Sequence, residues 1–279
     1  MTHVIITGGS SGIGLAVASI YAARGARVSL IARSRDLLEQ AQAKLASSNG
    51  ASTGNVRIEA ADVAEERDVV AAIRRCEQAL GPCDILVTSA GIVEPGRFEE
   101  LDSASFQRQM DINFSGTVHA VRAVYDGMKR RGQGRIMMIS SGSGLIGIYG
   151  YSAYCASKFA LHGFAQALRF EARPHGVGVS VCFPPDTQTP QLQRELATRP
   201  PEADKIMGVV RPWPADVVAK RIAGGIDRGR FEIFFGLTLY LLGRFGPAVR
   251  PVIHWWFDRA IARSDNTATH NRGVSEHRT

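Results

Sequence analysis

The chain has 279 residues, 45% of them hydrophobic, which is enough for one substantial buried core and excludes a disordered polypeptide. Its formal charge is +7, carried unevenly: residues 211–279 hold 11 of the basic but only 6 of the acidic side chains. The one compact basic cluster, Lys129, Arg130, Arg131 and Arg135, is too small a footprint for DNA or RNA, so no nucleic-acid partner is expected.

Met1-Thr2-His3 runs straight into the strand-like Val4-Ile5-Ile6, with no basic leader or apolar signal segment before it. A cytoplasmic protein is therefore expected. Strands are predicted near 3–7, 27–32, 56–61, 84–88, 135–140, 177–183 and 230–235, where short β-branched runs recur. Between them, apolar residues at three- and four-residue steps predict helices near 12–24, 35–47, 66–80, 103–131, 152–173 and 215–227. Strands alternating with helices in this way predict an α/β fold, a Rossmann-type doubly wound parallel sheet of about seven strands with helices on both faces. The polar stretch 47–54 offers no apolar face and reads as a surface loop. Cys76, Cys83, Cys155 and Cys182 lack CxxC spacing and neighbouring histidines, so neither a metal site nor a disulfide framework is expected.

After residue 236 the pattern changes. Residues 237–265 form an apolar and basic C-terminal segment of the same domain, and 266–279 read as a disordered polar tail. Gly236 to Gly243 and Ala248 to Phe257 are apolar, but neither approaches the ~18 to 20 residues of a spanning helix. Arg244, Pro247, Arg250 and Pro251 interrupt any union of the two. Phe234, Phe235, Leu237, Leu239, Tyr240, Leu241, Leu242, Trp255, Trp256 and Phe257 stand among Arg244, Arg250, Arg259 and Arg263. Aromatic and apolar residues beside arginines suit either a peripheral contact with a membrane surface, roofing the substrate cleft, or a cover over the core or a subunit interface.

Chemistry enters first at Thr7-Gly8-Gly9-Ser10-Ser11-Gly12-Ile13-Gly14, between the first strand and the first helix. Glycines there permit a tight turn and a close approach of backbone to a pyrophosphate, which sits on the amides of the helix N-terminus. Gly8, Ser10, Ser11, Gly12, Ile13 and Gly14 are the candidate cradle. The second strand ends at Arg33, where an acidic residue would bond a ribose 2′-hydroxyl; Arg33 instead offers a fork of donors to a 2′-phosphate and favours NADPH. The competing reading makes Arg33 and Arg35 a solvated pair with Asp36 and Glu39. Asp62 and Val63 after the third strand, and Ala90 and Gly91 after the fourth, are candidates to flank the adenosine.

Tyr154 and Lys158 are four residues apart and share a helix face. A neighbouring ammonium favours phenolate, moving the phenol toward a range useful for proton transfer. Ser141 ends the fifth strand thirteen residues earlier, at the carboxyl edge where ligands bind such sheets. It would hold the carbonyl oxygen that Tyr154 protonates.

Together the Thr7–Gly14 turn, Asn113, Ser141, Tyr154 and Lys158 resemble the short-chain dehydrogenase/reductase family over residues 3 to about 235. The resemblance implies an enzyme in which Asn113 bends its helix and organises a proton relay, and Lys158 also binds the nicotinamide ribose. Ser140 is the alternative to Ser141, and the spacing to Tyr154 with the following Gly144 favours Ser141. Thr88-Ser89-Ala90-Gly91 stands where the family commonly has two asparagines. Pro184-Pro185-Asp186-Thr187-Gln188-Thr189-Pro190 and Tyr149-Gly150-Tyr151-Ser152-Ala153 are similar to the subgroup that reduces the 3-keto group of 3-ketosphinganine with NADPH. By that resemblance Thr187, with Thr189 beside it, contacts the nicotinamide amide or the pyrophosphate. The long-chain ketone is the expected substrate, and a homo-oligomer built on the helices near 103–131 and 152–173 is the expected assembly. The rival readings are a reductase of another apolar carbonyl, a steroid or a 3-oxoacyl chain, and a non-catalytic dinucleotide-binding sensor or scaffold.

Overall fold

Seven apolar runs pair into one sheet in the computed structural model, which describes residues 1–49, 53–207 and 211–275. They are β1 (His3–Thr7), β2 (Arg27–Ala32), β3 (Val56–Ala60), β4 (Ile85–Thr88), β5 (Gly134–Ile139), β6 (Val177–Phe183) and β7 (Glu232–Phe234). Their order is β3-β2-β1-β4-β5-β6-β7, and every pair is parallel. β1 and β4 are buried at every residue, as continuous apolar strands covered on both faces must be. Successive residues serve opposite layers: Val4 and Ile6 pack with one core cluster, Ile5 with the other. The chain leaves β1 toward β2 and later returns to β4 on its other side. That reversal opens a crevice at the carboxyl ends of β1 and β4.

The helices are α1 (Gly12–Ala23), α2 (Arg35–Asn49), α3 (Glu66–Leu80), α4 (Ser103–Met110), α5 (Gly116–Arg131), α6 (Ser152–Ala172), α7 (Pro190–Leu196), α8 (Pro201–Met207), α9 (Ala215–Asp227) and α10 (Gly236–Ser275). α1, α2 and α9 cover one face of the sheet, and α3, α5 and α6 the other. All four cysteines are buried and free.

Four stretches differ from the sequence expectation. The single helix expected near 103–131 is two helices joined by a π-helical turn at Asp111–Ser115. α7 and α8 fall where no helix is expected, although Thr189 caps α7 by accepting from the Leu192 amide and Pro190 occupies its first turn. The C-terminal segment is helical through both prolines, kinking at Phe245 (φ −122°, ψ 21°). The kink starts a second limb, so Pro247 lies in a first turn where its missing N–H costs nothing. The helix continues through the first part of the 266–279 tail as far as Ser275, and 276–279 lie outside the described residues. Of the polar stretch 47–54, Ser47 to Asn49 complete α2, Thr53 opens a 3-10 turn, and 50–52 lie outside the described residues.

α10 is tied to the sheet. Leu242 is buried, Ile253 and Phe257 pack on the core, and Arg244 Nη1 bonds Glu232 Oε2 at 2.9 Å. Among the described residues, no helix is long and apolar enough to cross a membrane.

Candidate active site

A cleft of about 940 Å³ opens at the carboxyl ends of the strands. One end is the β1–α1 turn. Gly8 (φ +67°) is in the left-handed region, and a Cβ there would lie 2.6 Å from the Ala90 nitrogen, so the two loops touch backbone to backbone. A Cβ on Gly14 would run into the Gly8 carbonyl. Ser11 precedes α1 without capping it by its side chain, which leaves the first amides of the helix facing the cleft. Such a cradle fits a pyrophosphate. Arg33 lines the same cleft, is exposed, and makes no ion pair among the described residues, whereas Arg35 is held by Glu39 at 2.8 Å. Arg33 is thus available to a 2′-phosphate, and the surface-pair reading applies to Arg35 alone. The chemistry of these donors fits NADPH.

Ser10, Gly12, Ile13, Asp62, Val63, Ala90 and Gly91 also line the cleft. Asp62 accepts from the Ala64 amide at 3.0 Å, which fixes its loop. Thr187 faces the cleft with its hydroxyl donating to the Pro185 carbonyl at 2.8 Å. Thr189 stands against Gly12, 3.1 Å from where a Cβ would be. The segment after β6 therefore closes over the glycine turn.

The second end of the cleft gathers the chemistry. Ser141 lies two residues beyond β5 and accepts from the Ser143 amide at 3.2 Å, which turns its hydroxyl toward Tyr154. Ser140 points the other way, buried and donating to the Lys158 carbonyl at 3.0 Å. The α6 register puts Lys158 beneath Tyr154, its Nζ 5.5 Å from the ring centroid and 3.1 Å from the Ile139 carbonyl. Asn113 is fully buried in the π turn. Its amide donates to the Ile92 carbonyl and to Ser157 Oγ, each at 2.9 Å, and its Oδ1 accepts from the Ile92 amide at 2.8 Å. Asn113 and Lys158 converge on Gly91, where a Cβ would lie 3.1 Å from Asn113 Oδ1 and 3.5 Å from Lys158 Nζ.

The electrostatics differ from the sequence expectation in one respect. Burial pushes the Lys158 ammonium down to about 8. The Tyr154 phenol is pushed up, first by burial and then by the Glu195 carboxylate, with the Ser141 hydrogen bond opposing. The expected lowering by Lys158 is absent because the amine meets the ring rather than the phenolic oxygen, and it is itself disfavoured as a cation. The protonated phenol is the form that donates.

The wall facing Tyr154 comes from α7, α8 and the turn between them, through Leu192, Arg194, Glu195, Thr198 and Met207. α10 abuts this wall and touches the Ser141 turn through Leu239 beside Gly142, but it does not line the cleft among the described residues, so the roof expected of it belongs to α7 and α8. Tyr151, Asp186, Glu195 and Arg199 form a network here that the sequence reading misses. Its one visible signal was Glu195 and Arg199 at helical i,i+4 spacing.

Residues 2–200 match the family model described as short chain dehydrogenase. The chain is 38% identical over 251 residues to the 3-ketodihydrosphingosine reductase of Bos taurus, spanning 90% of this chain and 76% of that protein. It is 39% identical over 254 residues to the 3-dehydrosphinganine reductase of Danio rerio, with the same coverage of 90% and 76%. Among solved structures, a short-chain dehydrogenase from Sphingobium yanoikuyae in complex with NADPH superposes with a TM-score of 0.76 at 25% identity, covering 91% of this chain and 95% of that one. Levodione reductase superposes with a TM-score of 0.77 at 25% identity, covering 84% and 95%.

Proposed function

The chain belongs to the short chain dehydrogenase family, and on that footing we propose that it reduces the 3-keto group of 3-ketosphinganine to sphinganine with NADPH. The observation that carries the reading is Tyr154 set between Ser141 and Lys158 in the cleft, in a chain whose similarity to 3-ketosphinganine reductases extends over 90% of its length. The α1 amides would hold the pyrophosphate of NADPH and Arg33 its 2′-phosphate, and the cofactor so bound would supply the hydride for the carbonyl carbon. Tyr154 donates its proton to the ketone oxygen, which Ser141 holds by a second hydrogen bond. Lys158, as the ammonium, would offset the charge of the phenolate left behind and would reach the nicotinamide ribose. Asn113 keeps Lys158 and the Ile92 segment in register and organises the path by which Tyr154 recovers a proton. Thr187 and Thr189, on the segment that closes over the glycine turn, would contact the pyrophosphate or the nicotinamide amide.

The deciding experiment is a substrate panel with the purified protein: 3-ketosphinganine, a steroid ketone and a 3-oxoacyl thioester, each with NADPH and with NADH. Oxidation of NADPH with 3-ketosphinganine alone is expected. Tyr154→Phe should cut the rate by about 10² to 10⁴ while still binding NADPH. An equally fast variant would overturn the mechanism, and cofactor binding without turnover of any ketone would favour a sensor.

The exposed side of α10 also supports a peripheral contact with the cytoplasmic face of a membrane, from which a long-chain ketone would be taken up. Leu237, Tyr240, Leu241, Phe245, Val252, Trp255 and Trp256 are exposed there, and Arg259 packs over Trp255 at 4.6 Å. A homo-oligomer joined through α6, which exposes Phe159 and Phe170, completes the reading; sedimentation as a monomer would overturn it.

A further inference from the structure

The wall opposite Ser141 holds a carboxylate that the hydride and proton transfers do not use. Glu195 lies in the last turn of α7, 12% exposed, and lines the cleft with Tyr154. Its Oε1 accepts from the Tyr151 hydroxyl at 2.7 Å and from Arg199 Nη2 at 2.6 Å. These two bonds fix the carboxylate in one orientation, and Oε2 makes no hydrogen bond among the described residues. Tyr151 in turn packs edge-on against Tyr154, with ring centroids 6.2 Å apart, so the carboxylate is held one ring away from the proton donor.

Arg199 does not cancel this charge. It is 5% exposed and also meets Asp186 at 3.0 Å and Asp204 at 3.6 Å, so one guanidinium serves three carboxylates. Arg194, the other cation on this wall, is exposed and screened by water. The excess negative charge reaches the reacting centre: after burial, Glu195 is the largest influence holding the Tyr154 proton on, and Asp186 acts in the same direction. Glu195, Ser141 and Tyr154 line one cleft, so a ketone whose oxygen lies between Ser141 and Tyr154 has this carboxylate on the facing wall.

We infer that Glu195 is a substrate-recognition residue, accepting a hydrogen bond from a protonated amine on the carbon next to the ketone and so selecting α-amino ketones over neutral or anionic ones. The inference rests on the proposed reductase activity and adds the group that reads the amine. Recognition and chemistry are then coupled. An ammonium paired with Glu195 neutralises the charge that holds the phenolic proton, so Tyr154 gives it up more readily when the correct substrate is present. A ketone bearing a carboxylate or phosphate at that position meets repulsion.

The test compares kcat and KM for 3-ketosphinganine, its N-acetyl derivative and 1-hydroxyoctadecan-3-one, which lacks the amine, in wild type and Glu195→Gln. One charge-assisted hydrogen bond predicts a wild-type preference of about ten- to hundredfold in kcat/KM for the amine. Glu195→Gln should lose that preference through a raised KM for the amine, with the two amine-free probes reduced no worse than by wild type. NADPH titration by fluorescence reports whether the variant is folded. If it does not bind NADPH, the wild-type ratio of amine to deaminated ketone decides: tenfold or more supports the inference, near one overturns it. Equal preference in wild type and a folded variant also overturns it, whereas failure of wild type to reduce any of the three overturns the reductase assignment.

Discussion

Lys158 has the most unusual surroundings of any cation in the site. Its amine is enclosed by the Ile139 carbonyl, the Tyr154 ring and Cys182, and burial lowers its affinity for a proton from 10.5 to about 8. Below pH 8 both folded and unfolded chains carry the charge, and the folded one bears its desolvation. Between about 8 and 10.5 the unfolded chain binds more protons, so the contribution of Lys158 to stability rises with pH across that window. In cofactor-free protein, the stability of wild type minus Lys158→Met should rise by roughly 3 kcal/mol from pH 8 to 10.5, as read by urea unfolding. Cys182 and Tyr154, whose proton affinities are raised, act in the opposite sense but are present in both proteins. A pH-independent difference would show that the amine is not held in a desolvated site. Tyr154, Lys158 and Ser141 were legible as a group because helical spacing and a strand end place them without knowledge of packing. The direction of the Tyr154 shift was not legible, since it depends first on burial and then on Glu195, forty-one residues away in sequence.

At the scale of elements, the β1–α1 turn shows how steric contact makes a binding site. Gly14 has an ordinary helical place, and what forbids a side chain is the Gly8 carbonyl directly against it. Gly14→Ala should force the turn away from α1, weakening NADPH binding at least tenfold and costing about 1–3 kcal/mol of stability. Fluorescence titration and thermal unfolding check both, and unchanged affinity would mean that the amides of α1 do not hold the pyrophosphate. The strands and the long amphipathic helices were legible from periodicity, down to β1, β2 and β6 at the residue level. α7 and α8 were not, because seven residues make too few turns for periodicity to register, and their Thr-Pro and Pro-Pro starts also read as loop. The π turn at Asn113, where the family resemblance implied a bend, was hidden from periodicity for another reason. An extra residue in a helical turn leaves the apolar pattern on either side intact.

At the scale of the whole molecule, the proposed membrane contact rests on α10. Its first limb is built into the core through Leu242 and the Arg244–Glu232 pair, so deleting it would test stability rather than membrane contact. The exposed Trp255 and Trp256 are the cleaner target. The Trp255→Ser, Trp256→Ser double variant should lose about tenfold in binding to phosphatidylserine-containing vesicles, and it should keep wild-type turnover of detergent-dispersed substrate. Undiminished vesicle binding would remove the membrane contact from the proposal.

The sequence by itself determined the parallel sheet, the glycine turn, and the placing of Arg33, Ser141, Tyr154 and Lys158 along one edge of it. Each of these rests on local rules: side-chain period, strand ends, helix spacing and the residue type at a fixed place. Tertiary structure alone decided that α7 and α8 wall the cleft, that Arg199 gathers Asp186, Glu195 and Asp204, and that Glu195 acts on Tyr154. The physical reason is that a proton's affinity for a buried group is set by every charge around it, and packing, not order along the chain, decides which charges those are.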